Sequence, residues 1–368
     1  MLNHLACSCC LPAGSLTCQP ADAAPLRLSR RRVLAGVAAS AGLALSSPRN
    51  ALAQAPAAAP RNIVDVHHHV TPPAYREELV KRGINDRLLL NWSVQKSLAD
   101  MDKGGVATSI LSLAPPGIWF DDPATARILS RKCNDYCAQL AKDHPGRFGV
   151  FAALPLPDVE GSLKEIEYAL DTLHADGFAL FTSYGDKYLG DSAFDPVMEA
   201  LNARKAVVYT HPRIPNCCGN VVPAVQLGIV EFQTDTSRAI ASVIATGVAS
   251  RYPDIKWIWS HGGGTMPFLY GRFIRMVNLR PAIAPNVPKG VAYELSKFFY
   301  DVAQVAYRPS LAALALAVPQ TQVVFGTDFP YRSSADHVAG LTEFYTDHAK
   351  LAMVLRQNAE TLIPRLKS

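Results

Sequence analysis

Beyond its first sixty residues the sequence has no apolar stretch reaching the roughly 18 uncharged residues of a membrane span, and no basic run interleaved with aromatics that would grip a nucleic acid. A membrane-embedded body and a nucleic-acid partner are therefore not expected. The net charge of +5 is modest, and part of it comes from Arg27, Arg30, Arg31 and Arg32 near the N-terminus. After residue 60 no Cys-x-x-Cys occurs, so no structural zinc knuckle is expected. The cysteines there are Cys133 and Cys137, at helical i, i+4 spacing and read as buried small residues, and the adjacent Cys217 and Cys218. The sequence is silent on whether any of them forms a disulfide. No Gly-x-Gly-x-x-Gly follows the first strand, which removes the main mark of a dinucleotide-binding open sheet. Charge is sparse at 18%, while 49% of the 368 residues are hydrophobic. That balance suits a soluble enzyme with a large core.

The N-terminal stretch stands apart. Ser29-Arg30-Arg31-Arg32-Val33-Leu34 has the order of a twin-arginine export signal: Ser, two Arg, any residue, two apolar residues. A weakly hydrophobic run follows from Val33 to Leu45, and Ala51-Leu52-Ala53 offers an A-x-A cleavage site before Gln54. Residues 1–53 are expected to be a signal peptide, 54–61 a linker and 62–368 the functional domain. The expected location is the periplasm, with no membrane span left after cleavage, or the cytoplasm if the leader is not used. Four of the eight cysteines (Cys7, Cys9, Cys10 and Cys18) lie in this leader.

From residue 62 onward, short β-branched or aromatic runs alternate with longer helical patterns. The strand candidates are Ile63–His67, Ala107–Ser112, Gly149–Ala153, Gly177–Thr182, Ala206–Thr210, Lys256–Ser260, Phe298–Val302 and Gln322–Gly326. Eight helical segments lie between and after them, the last over Ala335–Leu355. That count predicts an α/β fold, a single (β/α)8 TIM barrel, with a doubly wound open sheet as the runner-up. The connections after His69 and over Pro212–Gln233 are longer than usual and follow strands that end in His. They read as loops over an active site.

In a parallel barrel all strand C-termini open onto one face, where chemistry is done. The first run ends in His67-His68-His69, the fifth in Thr210-His211-Pro212, the sixth in Ser260-His261-Gly262-Gly263 and the eighth in Gly326-Thr327-Asp328-Phe329-Pro330. Strand alternation puts Asp65, His67 and His69 on one face and His68 on the other. Taken singly, each of these is as readily a capping or packing residue. Together, three imidazoles and a carboxylate with a position left for water describe a catalytic zinc or manganese site rather than a closed structural one.

These four strand ends resemble the metal-dependent amidohydrolase superfamily, and within it the decarboxylase branch typified by aminocarboxymuconate semialdehyde decarboxylase. The resemblance runs over residues 62–365. The stretch Gly177–Pro196, with Thr182-Ser183-Tyr184-Gly185-Asp186-Lys187-Tyr188-Leu189-Gly190-Asp191, is similar to the 6-methylsalicylate decarboxylase group. The resemblance implies that His67, His69, His211 and Asp328 bind one divalent metal, zinc first and manganese as the alternative, with His261 beside it as acid/base. It also implies a homodimer. Binuclear members carry a carboxylated Lys at the end of the fourth strand. Here that strand reads Phe178-Ala179-Leu180-Phe181-Thr182-Ser183, so one metal is expected, and Lys187 is read as a surface or substrate-facing charge. His68 is left to packing, and Asp65 becomes the expected inward partner holding His67 and His69.

The implied activity is non-oxidative decarboxylation of a salicylate-like or other unsaturated carboxylic acid, a carbon–carbon lyase reaction. Metal-dependent hydrolysis of an amide or lactone is the alternative, and a binding protein that has lost activity is a third reading. Either His261 or Asp328 could hand a proton to the ring carbon. Arg213, Arg332, Tyr331 and Trp119 are the candidate substrate contacts, the two arginines for a carboxylate and the aromatics for the ring.

Overall fold

A computed structural model describes residues 62–219 and 221–367. The expected export signal, cleavage site and linker lie outside the described residues. Eight parallel strands form one sheet: β1 (Ile63–Val70), β2 (Val106–Leu113), β3 (Phe148–Ala153), β4 (Gly177–Phe181), β7 (Val207–His211), β8 (Lys256–Trp259), β9 (Phe299–Asp301) and β10 (Val323–Val324). A small antiparallel hairpin, β5 (Ser183–Tyr184) and β6 (Lys187–Tyr188), follows β4 and turns at Gly185, whose φ is +65°. The sheet closes on itself: Val66 N–H donates to Phe325 C=O (3.0 Å), Asp328 N–H to His67 C=O (2.9 Å) and His69 N–H to Phe329 C=O (2.8 Å). This is the closed (β/α)8 arrangement that the alternation predicted.

The helices start where their polar residues say they should. Ser93 caps Val94–Gly104, and the left-handed Gly105 (φ +74°) ends it. Asp122 accepts from Ala124 N–H, with Pro123 at the first position of Pro123–Asp143, and Asp158 caps Val159–Asp171. The outer core lies between strands and helices, where Phe178, Val208 and Trp259 meet apolar helix faces. The inner core fills one end of the barrel: Val64, Val66, Ile110, Phe151, Ile258 and Val324 pack against Ala359, Leu362, Ile363 and Leu366 of the C-terminal segment.

The structure departs from the sequence expectations in three places, and it answers the cysteine question the sequence left open. The connection after His69 is not an open loop. It carries the helices Pro73–Lys81 and Arg87–Leu90, the second held by Asp86, which accepts from Leu88 and Leu89 N–H. The expected loop Pro212–Gln233 ends early, because the helix Leu227–Ala245 begins inside it. Its first turns face the cavity mouth and half-solvent, so they lack the buried stripe by which a helix is recognised. The last helical run stops at Phe344, and Asp347 caps a separate helix, His348–Ala352. Cys217 and Cys218 are disulfide-bonded to each other, whereas Cys133 and Cys137 are free and buried.

Candidate metal centre

Strand β1 is buried along its whole length, and its pairing with β2 slips between Asp65 and His68: Asp65 lies opposite Ser109, but His68 lies opposite Leu111. Three residues on β1 thus span two on β2, a bulge. The bulge breaks the simple alternation and corrects the expected role of Asp65. Its carboxylate does not hold the His67 and His69 rings. It accepts from His67 N–H (3.0 Å), from Thr327 N–H (3.1 Å) and Oγ1–H (2.7 Å), and pairs with His68 Nδ1 (3.1 Å). His68 also meets Ser97 Oγ (3.0 Å) and stacks on Phe329, so it is a packing residue, as expected.

His67, His69, His211 and Asp328 are all buried, and one ligand atom from each lies within 4.8 Å of the others. Asp328 Oδ1 is 3.0 Å from His69 Nε2, 3.2 Å from His67 Nε2 and 3.9 Å from His211 Nε2, and the first two nitrogens are 3.2 Å apart. The outer nitrogens are anchored: His67 Nδ1 on Asp301 (2.9 Å), His211 Nδ1 on Pro212 C=O (2.7 Å) and His69 Nδ1 near Ser112 Oγ (3.5 Å). Protons held on those outer nitrogens leave three Nε2 lone pairs and a carboxylate oxygen aimed at one point. His211 Nε2 and Asp328 Oδ1 have no hydrogen-bond partner. Buried acceptors converging without a donor call for a cation, so the donor set fits a divalent ion.

The electrostatics agree. Burial lowers the His67 imidazole, but the carboxylates of Asp301 and Asp328 outweigh it and push its pKa up to about 10. Burial, and then the surrounding imidazoles, hold His211 well below the ordinary value, and burial also lowers His69. Burial would raise Asp328, yet the His67 charge and the close approach of the His261, His67 and His69 ring nitrogens keep it well below the usual carboxylate range. In effect one proton on His67 occupies the electrostatic position of the ion.

His261 stands beside this cluster, its Nε2 3.5 Å from Asp328 Oδ2, and neither ring nitrogen has a hydrogen-bond partner. Among the described residues six non-glycine residues adopt positive φ, and three of them, His261 (+54°), Gln304 (+59°) and Asp328 (+64°), border the same cavity. Such strain is retained where function needs the geometry. Gly326 allows the last strand to come close: a Cβ there would lie 2.9 Å from that of His67 and 3.0 Å from that of Asp301.

Two groups escaped the sequence reading. Asp301 ends β9, holds His67 Nδ1 and accepts from His261 N–H (2.9 Å); a carboxylate closing the seventh strand candidate was a visible signal. Gln304 donates to Asp328 Oδ2 (2.9 Å), and nothing in its sequence context marks it.

A cavity of about 730 Å³ opens over the centre, bordered by His211, His261, Asp328, Gln304, Tyr331, Asp86, Phe232 and the start of the helix at Leu227. Of the substrate candidates, Tyr331 lies on it. Arg213 and Trp119 border a narrow apolar slot that shares His211 with the cavity, together with Phe181 and Tyr184. Arg332 borders neither, its guanidinium lying 4.7 Å over the Tyr307 ring. Arg213 N–H donates to Asp235, whose carboxylate also takes the Thr182 hydroxyl and that of Tyr188 (2.7 Å). Lys187 is exposed on the hairpin, a surface charge.

The profile of the amidohydrolase family matches residues 64–365. The decarboxylase yanB of Aspergillus niger is 35% identical over 324 residues, covering 83% of this chain and 88% of its own. The 6-methylsalicylic acid decarboxylase acuB of Aspergillus aculeatus is 34% identical, covering 83% of this chain and 96% of its own. Among solved structures, an amidohydrolase II superposes with a TM-score of 0.76 at 26% identity, over 82% of this chain and 99% of that one.

Proposed function

The chain belongs to the amidohydrolase family, and from that premise we propose that it decarboxylates a salicylate-type acid without oxidation, using one divalent ion held by His67, His69, His211 and Asp328. It is a carboxy-lyase rather than a hydrolase. The observation that carries this is a single cluster of three imidazoles and a carboxylate among the described residues. The fourth strand, ending in Leu180 and Phe181, has no Lys to bridge a second ion. The named activity of relatives that match most of the chain supports the same reading.

Held by His67, His69, His211 and Asp328, the ion would supply positive charge toward the carboxylate and phenol oxygen of the substrate and would draw electron density from the ring. Zinc is the proposed ion, because imidazole nitrogens with one carboxylate suit it; manganese is the alternative. The residues do the rest. Asp328 uses Oδ1 toward the histidines and leaves Oδ2 between His261 and Gln304. A proton passes from His261 Nε2 to Asp328 Oδ2 and from there to the ring carbon bearing the carboxylate. The bond to that carboxylate breaks with its electron pair left on the ring, and neutral CO₂ departs into the cavity. Leu227, Phe232 and Pro115 hold the ring and exclude water. The chain is proposed to work in the periplasm after twin-arginine export, a reading supported by Ser29–Leu34 and the A-x-A site.

The test is metal-loaded protein incubated with salicylate-type acids, following CO₂ and the phenol. Stoichiometric release of both is expected. No CO₂ from any of them, alongside turnover of lactones or amides, overturns the lyase reading.

A further inference from the structure

The cavity over the metal centre is lined by both polar and apolar side chains. At its inner end are the metal-centre residues; on its wall stand Asp86 and Tyr331. Tyr331 connects the metal centre to Asp86: its ring centroid is 6.0 Å from that of His69, and its hydroxyl donates to Asp86 Oδ2 at 2.7 Å. Asp86 is rigidly held, because its Oδ1 accepts from Leu88 N–H (2.9 Å) and Leu89 N–H (3.2 Å) at the start of the helix Arg87–Leu90.

This arrangement has a definite hydrogen-bonding polarity. The Tyr331 hydroxyl gives its only hydrogen to Asp86, so toward the cavity it offers a lone pair, and the Asp86 carboxylate has only acceptors to offer. Among the described residues lining this cavity there is no Lys or Arg, and the carboxylates there are Asp86 and Asp328. Arg213 borders the side slot instead.

From this we infer that Asp86 and Tyr331 form a distal subsite that selects acids bearing a single carboxylate and a hydrogen-bond donor, a second hydroxyl or an amine, and that excludes dicarboxylates. The inference rests on the decarboxylase reading for which end of the substrate meets the metal. One carboxylate is taken up at the inner end. A second one at the distal wall meets a fixed carboxylate and no cation, a like-charge juxtaposition in a partly buried site. A phenol or amine at the same place finds two acceptors already positioned. The apolar walls formed by Leu88, Ile214 and Phe232 accept the ring between them.

A matched trio of probes tests this: salicylate, 2,5-dihydroxybenzoate and 5-carboxysalicylate, which differ only at the ring position opposite the phenol side. For each acid, kcat/KM and the dissociation constant for the zinc-loaded protein are measured by CO₂ release and by calorimetry. The wild-type chain is expected to favour the dihydroxy acid over the dicarboxylate by at least about tenfold in both quantities. Asp86→Asn, which keeps a good helix cap, is expected to shrink that ratio about tenfold, mainly through KM for the dicarboxylate. An unchanged ratio in Asp86→Asn with an unchanged melting temperature overturns the subsite. If the wild type binds the acids but releases no CO₂ from any of them, the decarboxylase reading fails, and the calorimetric ratio still decides the role of Asp86.

Discussion

The two ends of this barrel are built from the same strands and obey opposite rules. Val64 and Val66 on β1 face an interior closed by Leu362, Ile363 and Leu366, an end that is apolar apart from the Tyr209 hydroxyl. One residue further on, His67 and His69 enter an interior that is just as buried but holds four imidazoles and a carboxylate. The apolar end stabilises the fold by burial alone. The polar end carries His211 Nε2, Asp328 Oδ1 and both nitrogens of His261 without hydrogen-bond partners, a cost that only a bound ion and a substrate offset. Stability and function are therefore separated along the barrel axis, and substitutions at the two ends should fail in different ways.

The largest effect belongs to the polar end. His211→Ala should lose the ion and at least about 10³-fold in kcat/KM, whereas the melting temperature of the chelator-treated protein should not fall, because one crowded imidazole is gone. Metal content measured beside turnover decides it, and an unchanged metal content means that the ligand set is wrong. His261→Asn should keep the metal and lose roughly 10²–10⁴-fold in kcat, the range of a lost acid/base group. Loss of metal in that variant would put His261 among the ligands and blur the distinction.

At the apolar end, Leu362→Ala should cost about 2–4 kcal/mol in stability by leaving a cavity in the inner core. Its kcat per folded molecule should match the wild type. Chemical denaturation and active-site titration check both halves. A fall in kcat without a loss of stability would show that the two ends are mechanically joined.

Asp301 tests the boundary between the ends, because it anchors His67 from outside the ligand set. Asp301→Asn should weaken metal binding about 10- to 100-fold, the usual range for a group that orients a ligand, with only a small change in melting temperature. A competition assay with a chelating dye measures it.

Much of this was legible in advance, for a physical reason. Parallel strands buried on both faces read as short apolar runs, so all eight could be placed. A polar residue at the end of such a run, as at His211, His261 and Asp328, has no packing reason to be there. The local geometry was hidden. A one-residue bulge in β1 leaves no mark in a run as uniform as Ile63–Val70, so Asp65 was assigned to the wrong neighbours. Arg332 lies in the right loop, but whether its long side chain turns toward the cavity or onto Tyr307 is decided by tertiary packing. Gln304 depends on a left-handed backbone that nothing in its neighbourhood demands.

The effect that is smallest per step, about tenfold per pH unit, concerns protons. With no ion bound, the folded-state pKa of His67 is raised from 6.5 to about 10. The charged imidazole therefore stabilises the metal-free fold fully below the unfolded value of 6.5, and that contribution is lost as pH rises through about 10. Metal binding needs the lone pair that this proton occupies, so affinity should climb by up to about tenfold per unit from neutral pH to about 10. His69 and His211, shifted down, are already neutral there and add no slope. Calorimetric zinc titrations in buffers of different ionisation enthalpy should show about one proton released per ion near pH 7.5. A release near zero would mean that His67 is neutral before the ion arrives, and that the polar end of the barrel holds its unpartnered acceptors open without a proton in the ion's place.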